Sequence, residues 1–500
     1  IRRTIDRENI FYYYGNYFYI NNQKFDKFSN SITGVVKDKN GNYFVTTSGG
    51  GFLVYYTPQI NNWAIGLGEA SNIYSLFQLN NHIFLTETNV GYIYKFDTKS
   101  GVSEYFSKFF SGDEGKIFKG LNGQMWLIHN TKRCEIDVKS TMGNCLPPLP
   151  FREIFIIEQA PNRHFWVATG EGLYTASDWN GAWQEVRTSR GEAMDGVYRI
   201  SFLDNGEVWF GRRDNGLFRF RNGKGVRVLS KEHPCGNQTR EIISDGRHNV
   251  WIGTESQGIC HIALSDEGVV GRVTQIKKQQ GLFASGVHRM IDDYMGRYWM
   301  SSNFGVFWVS KRSLYDFVNG RVGHLSSVAF GERDGLVNRE GNGGRQNSGI
   351  YTRSGKILFP TQNGIVEIDP RRIPFKTAIP SVYLVSVENL GRRYLPNAML
   401  TLPATARDLT FHYSAIEMVQ PQNVVFRYRL RGYDESWRPA SQIRFANYTN
   451  LRHGSYTFEL QAGIAGNFSG TSFQQTFSIA PFWFETWWFY GMVLLGIALA

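Results

Sequence analysis

Along most of the chain, apolar runs of five or six residues alternate with polar turns, and one such unit recurs. Residues 249–262 read NVWIGTESQGICHI: a tryptophan in a short apolar run, a polar loop, a glycine and a second apolar run. Related stretches are YFVTTSGGGFLVY (43–55), IFLTETNVGYIYKF (83–96), FWVATGEGLYTA (165–176) and VWFGRRDNGLFRF (208–220). YWMSSNFGVFWV (298–309), ILFPTQNGIVEI (357–368) and a truncated MWLIHN (125–130) complete the set. The aligned position is Phe44, Phe84, Trp126, Trp166, Trp209, Trp251, Trp299 and Leu358, at steps of 40, 42, 40, 43, 42, 48 and 59 residues. A near-constant period of this size marks propeller blades.

The chemistry of one unit accounts for its spelling. Turns such as DKNGN, LDNGE and RSGK open hairpins, because glycine accepts the positive φ those turns need. In the strand that follows, side chains alternate between the two faces of the sheet. A single four-stranded unit cannot bury both faces, so units must stack in a ring. Residues 1–372 are therefore expected to form a seven- or eight-bladed β-propeller, with the tryptophan stripe packed between blades rather than offered as sugar-stacking platforms. The aromatic piece IFYYYGNYFYI (10–20) reads as a remnant of a preceding blade or a ring-closing strand.

After IDPRRIP (368–374), whose two prolines interrupt any ladder, the pattern changes. In VVFRYRLRG (424–432), Phe426, Tyr428 and Leu430 share one face, with Arg427, Arg429 and Arg431 on the other. Such period-two alternation over 373–480 predicts an antiparallel, Ig-like β-sandwich. Its arginine face is read as solvated sheet surface. Residues 481–500, PFWFETWWFYGMVLLGIALA, turn from an aromatic belt into an uncharged apolar run, the pattern of a membrane interface followed by the start of a transmembrane helix.

Composition sharpens this all-β picture. Of 500 residues, 15% are aromatic, and 53 glycines against 15 prolines indicate many turns. The net charge of +11 is spread without a long Lys/Arg run, so no nucleic-acid partner is implied. Four cysteines lack CxxC or Cys/His spacing, which argues against structural zinc. Cys134–Cys145 and Cys235–Cys260 are candidate disulfides in an oxidising compartment, and four small buried thiols are the alternative. The chain opens on Ile1 without a signal-sequence pattern, as expected of a processed or incomplete N-terminus.

The repeats resemble the two-component-regulator propeller repeat, whose core reads like GxLWIGTxxGL. DLTFHYSA (408–415), FRYRLRGYDESW (426–437), ANYTNLRHGSYTFELQA (446–462) and PFWFETWWF (481–489) resemble the tyrosine-rich, Y_Y_Y-type sandwich that follows such propellers. The resemblance covers nearly the whole chain. It implies the periplasmic sensor region of a bacterial inner-membrane receptor, homodimeric through the sandwich, with a histidine kinase or diguanylate cyclase output beyond residue 500. By the same analogy the ligand is a small molecule or oligosaccharide. One departure is that many relatives carry two propellers, whereas about one propeller's worth of repeats precedes the sandwich here.

Catalytic spacing is absent: no HExxH, GxSxG or Walker A motif occurs, and no cofactor or metal ligand set is read. SDWNGAW (177–183) shares residues with a sialidase Asp-box, but its Asp-to-Gly spacing is wrong. A propeller enzyme of lyase or quinoprotein type, or a passive interaction scaffold, is the alternative; neither needs a sandwich feeding a membrane helix. Candidate ligand contacts are polar or cationic residues where a blade needs only a turn: Arg212, Arg213, His288, Arg289, Asn338, Arg339, Glu340 and Arg345. Arginines there suit an acidic ligand through bidentate pairing. The glycine-rich GNGGRQNSG (341–349) reads as a long inter-blade loop facing a ligand.

Overall fold

The computed structural model describes every residue except 1, 6–9, 15–16, 21–22, 28–29, 38–41, 56–59, 67–71, 90, 109–115, 130–131, 137–143, 152, 345, 374–379, 398–399, 418–422, 442, 465–467, 469–471 and 500. Seven four-stranded sheets succeed one another, the first six running in chain order from a first strand to an edge strand. The first strands are Ile73–Gln78 (blade 1), Lys116–Lys119 (2), Ile154–Gln159 (3), Val197–Phe202 (4), Thr239–Ser244 (5), Arg289–Asp292 (6) and Ile350–Tyr351 (7). From blade 2 to blade 7, first strands of successive blades lie against one another and so line the axis of a ring.

Blade 7 closes that ring. Its own strands Ile350–Tyr351, Ile357–Thr361 and Gly364–Ile368 take their fourth, Ile60–Trp63, from far upstream, with Ile60 opposite Ile368 and Trp63 opposite Ile365. Asn61 Nδ2 donates to Glu367 Oε1 at 3.0 Å across this joint. The ring therefore spans 60–368 and has seven blades. The repeat at Phe44 is not among them: its strands Ile32–Lys37, Tyr43–Thr47 and Gly51–Tyr55 form a three-stranded sheet, because the strand that would complete it joins blade 7 instead. Arg2–Ile5 to Gln23–Lys27 form another four-stranded sheet before it. Periodicity alone counted eight units. It could not show where the ring closes.

Inter-blade packing explains the aromatic stripe. Trp166 of blade 3 lies 5.4 Å from Phe210 of blade 4, and Trp251 of blade 5 lies 6.2 Å from Tyr298 of blade 6. Trp209, Trp251 and Trp299 are wholly buried, and Phe84 shares a cluster with Leu358 across the closing joint. Both candidate cysteine pairs are disulfides. Cys134–Cys145 links paired positions on the outer two strands of blade 2, whereas Cys235–Cys260 staples the turn after blade 4 to blade 5.

Two sheets form the sandwich. One orders Arg392–Tyr394, Ser381–Asn389, Leu409–Ile416 and Phe445–Tyr448. The other orders Leu400–Leu402, Phe473–Ile479, Gly454–Ile464, Val424–Arg431 and Arg438–Ser441. All pairs are antiparallel except Leu400–Leu402, which runs parallel to Phe473–Ile479. Phe411 and Phe458 stack across the interior at 4.2 Å. The arginine face is internally satisfied: Arg431 Nη2 lies 2.7 Å from the buried Glu459 carboxylate, Arg429 pairs with the same group, and Arg427 donates to Gln461 at 2.8 Å.

Propeller and sandwich share one core. A single apolar cluster runs from Trp299 and Trp308 of blade 6 through Phe359 and Val366 of blade 7 to Leu384, Phe411 and Phe458. Buried Arg297 donates to the Pro370 and Ile373 carbonyl oxygens of the linker at 2.7 and 2.9 Å. Downstream, Arg407 pairs with Glu485 at 2.6 Å and stacks on Phe482, anchoring the segment that leads into the helix Trp487–Leu499. That helix is apolar, uncharged and without a buried residue. Among the described residues no helix is long and apolar enough to cross a membrane.

Candidate ligand-binding site

The first strands carry charge into the propeller axis. Arg199, Glu241 and Arg289 pair respectively with Gly211, Gly253 and Ser301, each two residues beyond the blade's tryptophan, so they form one layer. This gives the small residue of the repeat its purpose. A Cβ at Gly211 would meet Thr239 at 2.7 Å, and one at Gly253 would meet Glu241 at 3.2 Å. Arg199 Nη2 and Arg289 Nη1 each lie 2.6 Å from a different oxygen of the fully buried Glu241 carboxylate. Glu158 of blade 3 adds a second carboxyl. Burial pushes its pKa up to about 7, with Arg199 and Arg289 pulling in the opposite direction.

One end of the axis is covered by residues 341–344 and 346–349, which form a strap. Gly341 bridges to Thr361 of blade 7, and Asn342 Nδ2 donates to Asn72 Oδ1 at 2.6 Å beside blade 1. Gln346 reaches blade 3 on the far side, accepting from the Ile157 amide and donating to its carbonyl. Leu76 N donates to Asn347 O at 3.1 Å, and Arg289 Nε to Gly349 O at 3.0 Å. The paired glycines let the strap lie this close: a Cβ at Gly343 would strike the His288 ring, and one at Gly344 would strike the Arg240 guanidinium.

Beneath the strap lies a cavity of about 780 Å³, within the range that holds small ligands. Glu158, Arg199, Arg289 and Asn347 line its inner part; Asp204, Asp245, Asp292 and Lys311 stand toward the opposite end, with Tyr294 and Tyr351. Those two rings meet edge to face at 5.3 Å and are exposed. Lys311, at the start of the helix Lys311–Val318, lies 2.7 Å from Asp292 and 3.1 Å from Asp245. Burial disfavours the Asp245 carboxylate, but hydrogen bonds from Tyr315 and Lys311 outweigh it and hold its pKa below the usual value.

Of the individually named candidate contacts among the described residues, only Arg289 lines this cavity; the glycine-rich loop 341–349 contributes Asn347. His288 is buried behind it, 2.8 Å from Asn303 Oδ1, with burial lowering its pKa. Arg212 is not an open loop cation: it is buried, donates to Asp195 O at 2.8 Å, pairs with the Asp195 carboxylate and stacks over Phe218. Arg213 is exposed above the Tyr198 ring. Asn338 caps its own turn through the Glu340 amide at 2.8 Å, and exposed Arg339 pairs with Glu332 at 3.2 Å. Arg345 lies outside the described residues. Glu158, Arg199 and Glu241 were missed, although a signal existed. In IFIIEQ and VYRISF a lone charged residue, and in TREIIS an adjacent Arg-Glu pair, sits in a short strand just before each tryptophan repeat.

Comparison with known proteins places this geometry. Residues 417–466 match the Y_Y_Y domain. Those residues lie in the sandwich, behind the β-propeller. Histidine kinase P4 of Formosa agariphila is 22% identical over 372 residues, which is 61% of this chain and 26% of that protein. The extracellular domain of a B. thetaiotaomicron protein described as a hybrid two-component system has the same fold: TM-score 0.63, 16% identity, 91% of this chain and 62% of that one. A second extracellular domain of that description and organism aligns over 96% of this chain and 69% of its own, at 13% identity and TM-score 0.49. The chain thus spans about a quarter of the length of the curated relative it matches.

Proposed function

We propose that this chain is the extracytoplasmic ligand-sensing region of a bacterial transmembrane signalling receptor. The ligand, a small molecule or oligosaccharide, enters the propeller channel beneath the strap. The observation that carries this reading is the shared core. Blade 6 contributes Arg289 to the cavity wall and, eight residues on, Arg297 to the linker clamp. A displacement of that blade is therefore felt by the sandwich, and through Arg407–Glu485 by the helix lead-in. A half-open polar cavity coupled by packing to a second domain is what a two-state sensor requires.

On this reading the region is periplasmic, the receptor sits in the inner membrane, and paired sandwich domains carry the signal to helices continuing from Trp487–Leu499. The output is a histidine kinase, in keeping with the Formosa agariphila relative, or a diguanylate cyclase. The decisive experiment places a cysteine at Trp487 in the full-length receptor and follows inter-subunit cross-linking as ligands found by thermal shift are added. A cross-linking yield that changes with ligand supports signalling through paired helices. A yield unchanged by any ligand that stabilises the propeller sinks it.

A further inference from the structure

The channel layer has an unusual charge balance. Two guanidinium groups flank one carboxylate, Glu241, which is spent on both of them, so Arg199, Glu241 and Arg289 together carry one net positive charge. Donors remain: Arg199 Nε is buried without a hydrogen-bond partner, and Arg289 uses Nε for Gly349 O and Nη1 for Glu241. Every other titratable side chain acting on Glu158 belongs to this layer, namely Arg199 of blade 4, Glu241 of blade 5 and Arg289 of blade 6, while Gln346 of the strap hydrogen-bonds it. When ionised, Glu158 neutralises the layer; when protonated, it leaves the layer with one positive charge at the inner end of a half-open cavity, whose other end carries Asp204, Asp245, Asp292 and Lys311.

We infer that the channel binds the carboxylate of a small acidic molecule between Arg199 and Arg289, with Glu158 taking up a proton as the ligand enters. This deepens the sensor reading and rests on it. Guanidinium donors make strong charge-assisted bonds to a carboxylate, and Arg289 Nη2 is spent on neither Gly349 nor Glu241. Two carboxyl groups held beside the same cations cannot both ionise cheaply, so one keeps a proton and donates it to the other. The bond formed is the hydrogen bond from the Glu158 hydroxyl to the ligand carboxylate; the proton comes from solvent. Glu158 has a pKa near 7 before ligand arrives, so the uptake is measurable at neutral pH.

The test is titration calorimetry of the whole chain with D-glucuronate and succinate as acidic probes and D-glucose as the uncharged control, in buffers of different ionisation enthalpy. The acidic probes are expected to bind and D-glucose not. About half a proton should be taken up per ligand at pH 7, and affinity should fall about tenfold between pH 6 and pH 8. Glu158→Gln is expected to bind the probes with no proton uptake and a flat pH dependence. Arg289→Lys keeps the charge but loses the planar guanidinium that reaches Gly349, Glu241 and the ligand at once, and is expected to weaken the acidic probes at least tenfold. If Arg289→Lys misfolds, Glu158→Gln still decides the matter. Equal binding of D-glucose, no binding of either acid, or proton uptake that survives Glu158→Gln overturns the inference. Should D-glucose bind and alter cross-linking at Trp487, the receptor reading stands and only the acidic ligand falls. Should acids bind with proton uptake while cross-linking never changes, the site stands and the receptor reading falls.

Discussion

Arg297 Nε lies 2.5 Å from Asp293 Oδ2, and neither side chain is exposed to solvent. The pair sits between the Trp299 and Trp308 rings, and the same Asp293 oxygen accepts from Trp299 Nε1 at 3.1 Å. Removing one partner of such a pair leaves an uncompensated buried charge. Arg297→Leu is therefore expected to destabilise the chain by about 3–5 kcal/mol. Because the guanidinium also holds Pro370 and Ile373, the loss should be accompanied by faster amide exchange in the linker, read by hydrogen-exchange mass spectrometry. Asp293→Asn keeps an acceptor oxygen for Trp299 Nε1 and leaves Arg297 bonded to the Pro370 and Ile373 carbonyls, so it should cost less.

Reduction separates the two disulfides. Cys235–Cys260 closes a separation of 25 residues and joins two blades, while Cys134–Cys145 closes 11 within one blade. On chain-entropy grounds Cys235→Ser with Cys260→Ser should lower stability by roughly 3 kcal/mol, and the blade 2 pair by somewhat less. Urea titrations of the two double variants would show it. Equal effects would refute the loop-length expectation.

The strap tolerates no side chain where it crosses His288. Gly343→Ala should force the strap away from the channel, costing about 1–3 kcal/mol and raising exchange at 342–349. Gly323 has open space around it. Gly323→Ala is the control and should change stability by less than about 0.5 kcal/mol.

Stability should fall as pH rises from about 4.5 to about 7. Glu158 holds its proton in the folded chain up to about 7, whereas the unfolded chain releases it near the ordinary value of 4.5. Over that window the native state binds more protons than the unfolded one. The contribution is fully present below 4.5 and lost as pH passes 7, about 3 kcal/mol in all. Comparing urea midpoints of the native chain and Glu158→Gln at pH 5, 6, 7 and 8 isolates it. Parallel curves would refute the assignment.

What was legible in the sequence followed from local physics. The Trp251 unit announced a strand, a turn and a second strand because period-two burial and glycine turns leave marks within a dozen residues. The strands at Phe426 and Phe458 were equally plain. The clasp was not legible: Ile60–Trp63 belongs with Gly364–Ile368 because of ring geometry, and no local pattern encodes a partner some three hundred residues away. The site was missed for a related reason. Arg212 and Arg213 looked available in their turn, yet Asp195 and Phe218 claim the first. Glu241, inside an apolar strand, looked like a strand residue until three blades were seen to converge on it.

The joint between Ile60–Trp63 and Gly364–Ile368 has a further consequence, for the order of assembly. Within blades 1 to 6 every strand pairs with a neighbour close in sequence, so each hairpin can form as soon as it emerges. The last blade must wait for two segments separated by nearly the whole ring, whose meeting carries the largest closure entropy in the propeller. Until then blades 1 and 7 lack each other's packing and Gly364–Ile368 presents an unpaired edge. The chain thus matures by a late fastening step, during which chaperones and proteases have their best opportunity to act on it.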